Sequence, residues 1–261
     1  MKFFDCFMYH DEDLILDIRL NTLNKHVDKF VIVEAKSDHQ GNEKKLNFKI
    51  ENFREFQEKI IYLVIDSFPK NQTNWERENF QRNFISKGLI SALEDDYIII
   101  SDIDEIPNLL NLKNIHKHKY TVFEQKMFYY KINLLNTTYP VWFGSKMCKK
   151  KNLKSPQWLR NQKVKNYSFW RFYKIKWDIV RNGGWHFSFL MTAQEIQKKI
   201  KSFAHSEFNT NNFTNLNKIN DSIENKIDLF DRKMDYKKVS FDNSFPNYIL
   251  NNKNKFKNWI L

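Results

Sequence analysis

Residues Tyr97 to Ile106 read YIIISDIDEI. The run Tyr97, Ile98, Ile99 and Ile100 is aromatic and β-branched throughout, which predicts a buried strand. It stops abruptly in three acids, Asp102, Asp104 and Glu105, with Pro107 just beyond. Side chains two apart in a strand point the same way, so Asp102 and Asp104 are expected to converge on one point while Ile103 turns back to the core. Converging carboxylates repel one another and call for a counter-ion. Hard oxygen ligands select Mg²⁺ or Mn²⁺, which keep waters and take up substrate phosphates. The same acids also suit the first turn of a helix, so spacing leaves both roles open.

Outward from this stretch the pattern alternates. KFFDCFMY (2–9), KFVIVEAK (29–36) and IIYLVID (60–66) read as strands. DEDLILDIRLNTLNKHV (11–27), ENFREFQEK (51–59) and WERENFQRNFISKGLISAL (75–93) read as helices, the last with a break expected near Gly88. Strand and helix in alternation imply crossover connections and a mostly parallel sheet, with ligands bound beyond the carboxyl ends of its strands. After Pro107 the pattern is mixed. YTVFEQKMFYYKINLL (120–135) and NYSFWRFYKI (166–175) are strand-like, SPQWLRNQ (155–162) starts a helix, and TAQEIQKKIKSFAH (192–205) is a helix with Thr192 and Glu195 in a capping box. With no repeat and no linker, the expectation is one α/β domain over 1–261, its ligand-binding half at 1–107 and a mixed half at 108–261.

Composition narrows the function. A 41% hydrophobic and 16% aromatic content argues against disorder. No run approaches the roughly 20 apolar residues of a membrane span, and the start lacks a signal peptide's apolar region. Cys6 and Cys148 are too far apart for metal-ligand spacing, so inert thiols in a cytoplasmic setting are expected. The net charge of +12 reads as a general bias toward lysine. It suits peripheral contact with an anionic membrane at its inner face, and no specific nucleic-acid partner is expected.

Four segments in order carry a more specific signal: DLILDIRLNTLNKHVDKFVIVEA (13–35), WERENFQRNFISKGL (75–89), DDYIIISDIDEIP (95–107) and GGWHFSF (183–189). Together they resemble glycosyltransferase family 17, which contains the β-1,4-mannosyl-glycoprotein β-1,4-N-acetylglucosaminyltransferases. The resemblance implies a GT-A-type fold, a UDP-sugar donor with UDP-N-acetylglucosamine favoured, a glycan acceptor, and inversion at the anomeric carbon. It also implies a divalent cation, Mn²⁺ or Mg²⁺, on the Asp-x-Asp segment at Asp102 and Asp104. The expected acceptor is a surface polysaccharide or lipopolysaccharide sugar.

Asp104 is the first choice for direct ligation, with Asp102 beside it and Glu105 turned to the other face. His186 completes the coordination sphere or binds the diphosphate, against the alternative of a packed core histidine. Arg77 and Arg82 offer guanidinium forks to phosphate, and Glu34 accepts from uracil or ribose. Trp185 is a candidate for stacking on a sugar. A general base is needed to take the acceptor proton, and Glu207 is preferred over Glu124 and Asp178. Two rivals remain. A phosphatase of the haloacid dehalogenase type wants threonine where Ile106 stands, and a non-enzymatic carbohydrate- or nucleic-acid-binding protein would bind without metal.

Overall fold

The computed structural model describes residues 1–112, 117–165 and 175–261. The alternating half folds as its pattern predicts: β1 (Phe3–Met8), α1 (Asp13–Leu23), β2 (Lys29–Ala35), β3 (Ile60–Ile65), α2 (Asn74–Phe84) and β4 (Tyr97–Ile100). The four strands are parallel in the order β3-β2-β1-β4. Strand β2 shows why its sequence is an unbroken apolar run. Phe30 and Ile32 pack on one face with Ile15, Leu16 and Ile18 of α1. Val31 and Val33 pack on the other with Ile85 and Leu89, beyond α2.

The second half adds β5 (Glu105–Pro107), β6 (Tyr120–Tyr129), β7 (Leu134–Asn136), β8 (Val141–Lys149), α3 (Pro156–Asn161), β9 (Trp177–Ser188), α4 (Ala193–Ser202), α5 (Leu216–Asn225), β10 (Tyr236–Lys238) and α6 (Asn247–Asn251). Strand β8 runs antiparallel to β4, with Lys146 opposite Ile100 and Cys148 opposite Ile98. Strand β6 is antiparallel to β8, and β9 pairs with both β6 and β5. The sheet is therefore parallel through its first four strands and mixed beyond β4, which is less parallel than the sequence suggested. Every strand from β1 to β10 belongs to this one sheet.

Helix boundaries differ in two places. The 51–59 helix is instead a 3-10 segment, Ile50–Phe56, kinked at Phe53, whose ring enters the core. The 75–93 helix is α-helical only to Phe84 and tightens to 3-10 over Ile85–Leu89. Gly88 lies in that tightened part because a Cβ there would come within 2.5 Å of Val31 Cγ1. Helix α4 has both arms of its capping box, Thr192 Oγ1 accepting from Glu195 N and Glu195 accepting from Thr192 N. The strand expected at 166–175 lies, apart from Ile175, outside the described residues. Cys6 and Cys148 are buried, and burial pushes the Cys148 thiol up to about 12 and Cys6 well above its ordinary value. Among the described residues no helix is long and apolar enough to cross a membrane.

Candidate active site

Strand β4 ends at Ile100, before the acids. Residues 101–104 form a turn, closed by Glu105 N donating to Asp102 O at 3.0 Å. The turn is held from beneath by Arg19 of α1. Its Nη1 donates to the carbonyls of Asp102 (3.1 Å), Ile103 (3.1 Å) and Glu105 (2.8 Å). Its other nitrogens form a fully buried two-bond pair with Asp5 of β1. Strand alternation therefore does not apply to Asp102 and Asp104: Asp102 and Glu105 share Arg160, and Asp104 turns to other partners.

Asp102 is held between two arginines, Arg82 Nη2 at 3.0 Å on one oxygen and Arg160 Nη2 at 2.5 Å on the other. Burial opposes its ionisation, but Arg160 and Arg82 outweigh that and hold it far below the usual carboxylate range. Glu105 does not turn away, as expected in an ideal strand. Its Oε1 accepts from Arg160 (2.8 Å) and Trp142 Nε1 (2.6 Å), and its Oε2 accepts from Asp102 N (3.0 Å). The carboxylate of Asp104, alone among the three, makes no hydrogen bond within the described residues, although its backbone carbonyl accepts from Phe187 N at 2.9 Å. Its neighbours are His186 Nε2 at 3.6 Å and Lys199 Nζ at 3.7 Å. Burial again opposes ionisation, and Lys199 and His186 overcome it to lower the Asp104 pKa. Burial pulls the His186 pKa down, but attraction to Asp104 wins and raises it. The other ring nitrogen of His186, Nδ1, is buried and has no partner among the described residues.

These groups line a cleft of about 1080 Å³. It runs from the ends of β1 and β2 (Tyr9, His10, Ser37, His39) past the acidic turn to β8 and α3 (Trp142, Lys146, Arg160). Of the residues singled out in the sequence, Asp102, Asp104, Arg82 and His186 meet here. Glu34 does not. It is fully buried and accepts from Lys44 Nζ, Asn47 N, Phe48 N and Tyr62 OH, so it pins the 44–48 loop instead of facing a nucleoside. Arg77 likewise donates to His39 O and packs against Gly41, outside the cleft lining.

Glu207 is 56% exposed, pairs with His205 and does not line the cleft. Glu124 pairs with Arg181 and Asp178 accepts from His118 N, and neither lines it either. Trp185 is a core residue whose Nε1 donates to Ser244 O.

Four cleft residues escaped sequence reasoning. Arg160 and Lys199 carry charge onto the acidic turn from α3 and α4. Trp142 is 39% exposed, with its ring centroid 5.6 Å from that of His186. Glu78, paired through one oxygen with Arg82, is the cleft acid whose other oxygen has neither hydrogen bond nor ion pair among the described residues. Its i, i+4 spacing to Arg82 was the one visible signal.

Among the described residues no three His, Cys, Asp or Glu side chains gather as a ready-made metal cluster. The donor set offered to a cation is Asp104 with His186. The unbonded carboxylate of Asp104 and the carboxylate-oriented imidazole facing it fit a hard divalent ion that takes its other ligands from phosphate and water. Asp102 does not fit, since both its oxygens are held by arginine.

The sequence model described as Glycosyltransferase family 17 matches residues 1–260. The chain is 34% identical over 108 residues to the human β-1,4-mannosyl-glycoprotein 4-β-N-acetylglucosaminyltransferase (Homo sapiens) and to its rat counterpart (Rattus norvegicus). It is 33% identical over 108 residues to the mouse protein (Mus musculus). In each case the match covers 38% of this chain and 20% of the relative, so it spans about a fifth of those proteins' length.

Proposed function

Because the chain belongs to glycosyltransferase family 17 and is a glycosyltransferase, we propose that it moves N-acetylglucosamine from UDP-N-acetylglucosamine to a glycan hydroxyl, with inversion. The sheet, parallel up to β4 and mixed beyond it, is then of GT-A type, with the nucleotide over the ends of β1 and β2. The non-enzymatic binding protein and the phosphatase considered from sequence are set aside by the family.

One observation carries the reading: in a large cleft at the end of β4, Asp104 is the acid of the turn whose carboxylate has no hydrogen bond among the described residues, and it faces His186. A divalent cation bound there supplies Lewis acidity toward the departing diphosphate. The chain's own groups do the rest. Arg82 and Arg160 are held by Asp102 at the rim of the turn, where they stabilise negative charge on the phosphates. Trp142 offers a face for a sugar beside His186. Glu78 takes the base role first given to Glu207, because it lies in the cleft with an unbonded oxygen for the acceptor proton.

A second reading has support of its own. Lys199 and His186 already balance Asp104 without metal, so the leaving group could be neutralised by these cations alone. A thermal-shift titration separates the two. The metal-dependent reading expects UDP-N-acetylglucosamine to stabilise the protein only with Mn²⁺, and Asp104→Ala to lose the response. Equal stabilisation in excess chelator favours the second reading, and no response to any UDP-sugar defeats both. Glu78→Gln is expected to lower kcat about 10²- to 10⁴-fold with little change in KM.

A further inference from the structure

The positive charge is not the general bias that composition suggested. Between Glu124 and Asp178 the chain carries thirteen lysines and arginines and no acidic residue. That stretch accounts for the whole net charge of +12, and the remainder is close to neutral. The fold brings part of it into the cleft, where the acids are confined to one side while cations stand on both. The cleft acids Glu12, Asp38, Glu78, Asp102, Asp104 and Glu105 all come from β1 through β5. The wall made by β8, α3 and residues 162–165 supplies Lys146, Arg160, Lys163 and Lys165, and no acid. In the sheet order this wall lies across β4 from β1 and β2, the side where the nucleotide is placed.

The four cations of the wall do different things. Arg160 is held by Asp102 and Glu105. Lys146 is buried and donates to the carbonyls of Arg160 and Gln162 (2.7 Å to the latter), which ties the chain leaving α3 to β8. Burial, followed by repulsion from Arg160, brings its pKa down to about 8. Lys163 and Lys165 come next. Both are exposed, both line the cleft, and neither forms an ion pair among the described residues. Lys146 thus anchors the chain from which two ammonium groups project, and Trp142 lies on the same wall beside His186. An exposed aromatic face with anchored cations matches a sugar bearing a phosphate: the ring covers the tryptophan and the phosphate oxygens take the ammonium donors.

Resting on the glycosyltransferase reading of the cleft, we propose that the acceptor is a phosphate-bearing sugar, its ring on Trp142 and its phosphate on Lys163 and Lys165. The donor's own diphosphate is assigned to Asp104, His186 and the two arginines held by Asp102, Arg82 and Arg160, at the turn itself. The acceptor therefore brings a second phosphate group, either as a soluble glycosyl phosphate or as a glycan attached through phosphate to a carrier.

Saturation-transfer NMR on the full chain, held in excess UDP and Mn²⁺, compares hexose 1-phosphates with the matching methyl hexosides. The phosphates are expected to bind at least about tenfold more tightly, and Lys163→Glu/Lys165→Glu to weaken them about tenfold with UDP affinity essentially unchanged. Both lysines are exposed, so the double variant should keep its fold, and an unchanged melting temperature verifies this. Equal binding of the methyl hexosides, no binding of the phosphates, or unchanged affinity in the variant overturns the proposal. Binding of the phosphates that appears only when UDP is left out would put the lysines in the donor site and also overturns it. So does binding to phosphatidylglycerol vesicles that needs the lysines while hexose phosphates do not bind, which makes the wall a membrane contact. Failure of the underlying reading is seen first and separately, as absence of UDP binding with or without Mn²⁺.

Discussion

Replacing Arg19 with methionine tests whether the acidic turn is held from within the core. Methionine keeps much of the side chain's length and removes the charge and all its donors. Asp5, fully buried, then loses a two-bond partner at 2.8 and 2.6 Å. Breaking a buried pair from one side costs about 3–5 kcal/mol. The three carbonyls are not equally affected. Asp102 O still accepts from Glu105 N, and Glu105 O still accepts from Ser145 Oγ. Ile103 O has Arg19 as its partner, and orphaning it adds about 1–3 kcal/mol.

Such terms do not add fully, so the expected loss is about 4–6 kcal/mol. At roughly 2 °C per kcal/mol for a chain of this size, the melting temperature falls by about 8–12 °C. Urea denaturation of the wild type, Arg19→Met and Arg19→Met/Asp5→Leu measures it. The double variant removes the stranded charge and should recover to within about 1–3 kcal/mol of wild type. A single variant within about 1 kcal/mol of wild type, or a double variant no better than the single, would refute the reasoning.

Three further outcomes follow from the same turn. Asp102→Asn should keep the Mn²⁺-dependent response to UDP-N-acetylglucosamine that Asp104→Asn loses, while raising donor KM because Arg82 and Arg160 lose their shared anchor. Steady-state kinetics with a metal titration reads both. Gly144→Ala places a Cβ 2.4 Å from Glu105 Cδ and 2.6 Å from Gln125 Oε1, so it should cost about 1–3 kcal/mol in urea melts and lower activity by displacing Glu105.

In chelated protein the raised pKa of His186 means that the folded state holds a proton the unfolded state has already lost. Its stabilisation should be complete below the unfolded value of about 6.5 and fade as pH rises through the higher folded value. Melts from acid to mildly alkaline pH should show this slope, and His186→Gln should flatten it.

The half of the fold built from local pattern was legible in the sequence. Apolar runs at 29–36 and 97–100 are strands because both of their faces are covered, and that requirement is written into every residue. The capping box at Thr192 is equally local. What failed was geometry that depends on distant partners. The alternation argument for Asp102 and Asp104 holds only inside a strand, and β4 stops two residues earlier. Asp102 is oriented by Arg160, 58 positions away, and Glu105 by Trp142, 37 positions away. Neither pairing leaves a mark in local spacing. Glu34 misled for the same reason: its place at a strand end was read correctly, but the backbone amides of Asn47 and Phe48 that consume its carboxylate belong to a loop without a pattern.

The two cysteines give the protein a built-in reporter. Cys6 stands opposite Ile100, and Cys148 opposite Ile98, so the thiols flank the strand that carries the acidic turn. Each is closed off from solvent and resists deprotonation, so an alkylating reagent can reach them only when the sheet parts at its centre. The pace of modification in dilute reagent therefore clocks how often the middle of the sheet opens, and a ligand seated at the turn should slow that clock with no engineered label at all.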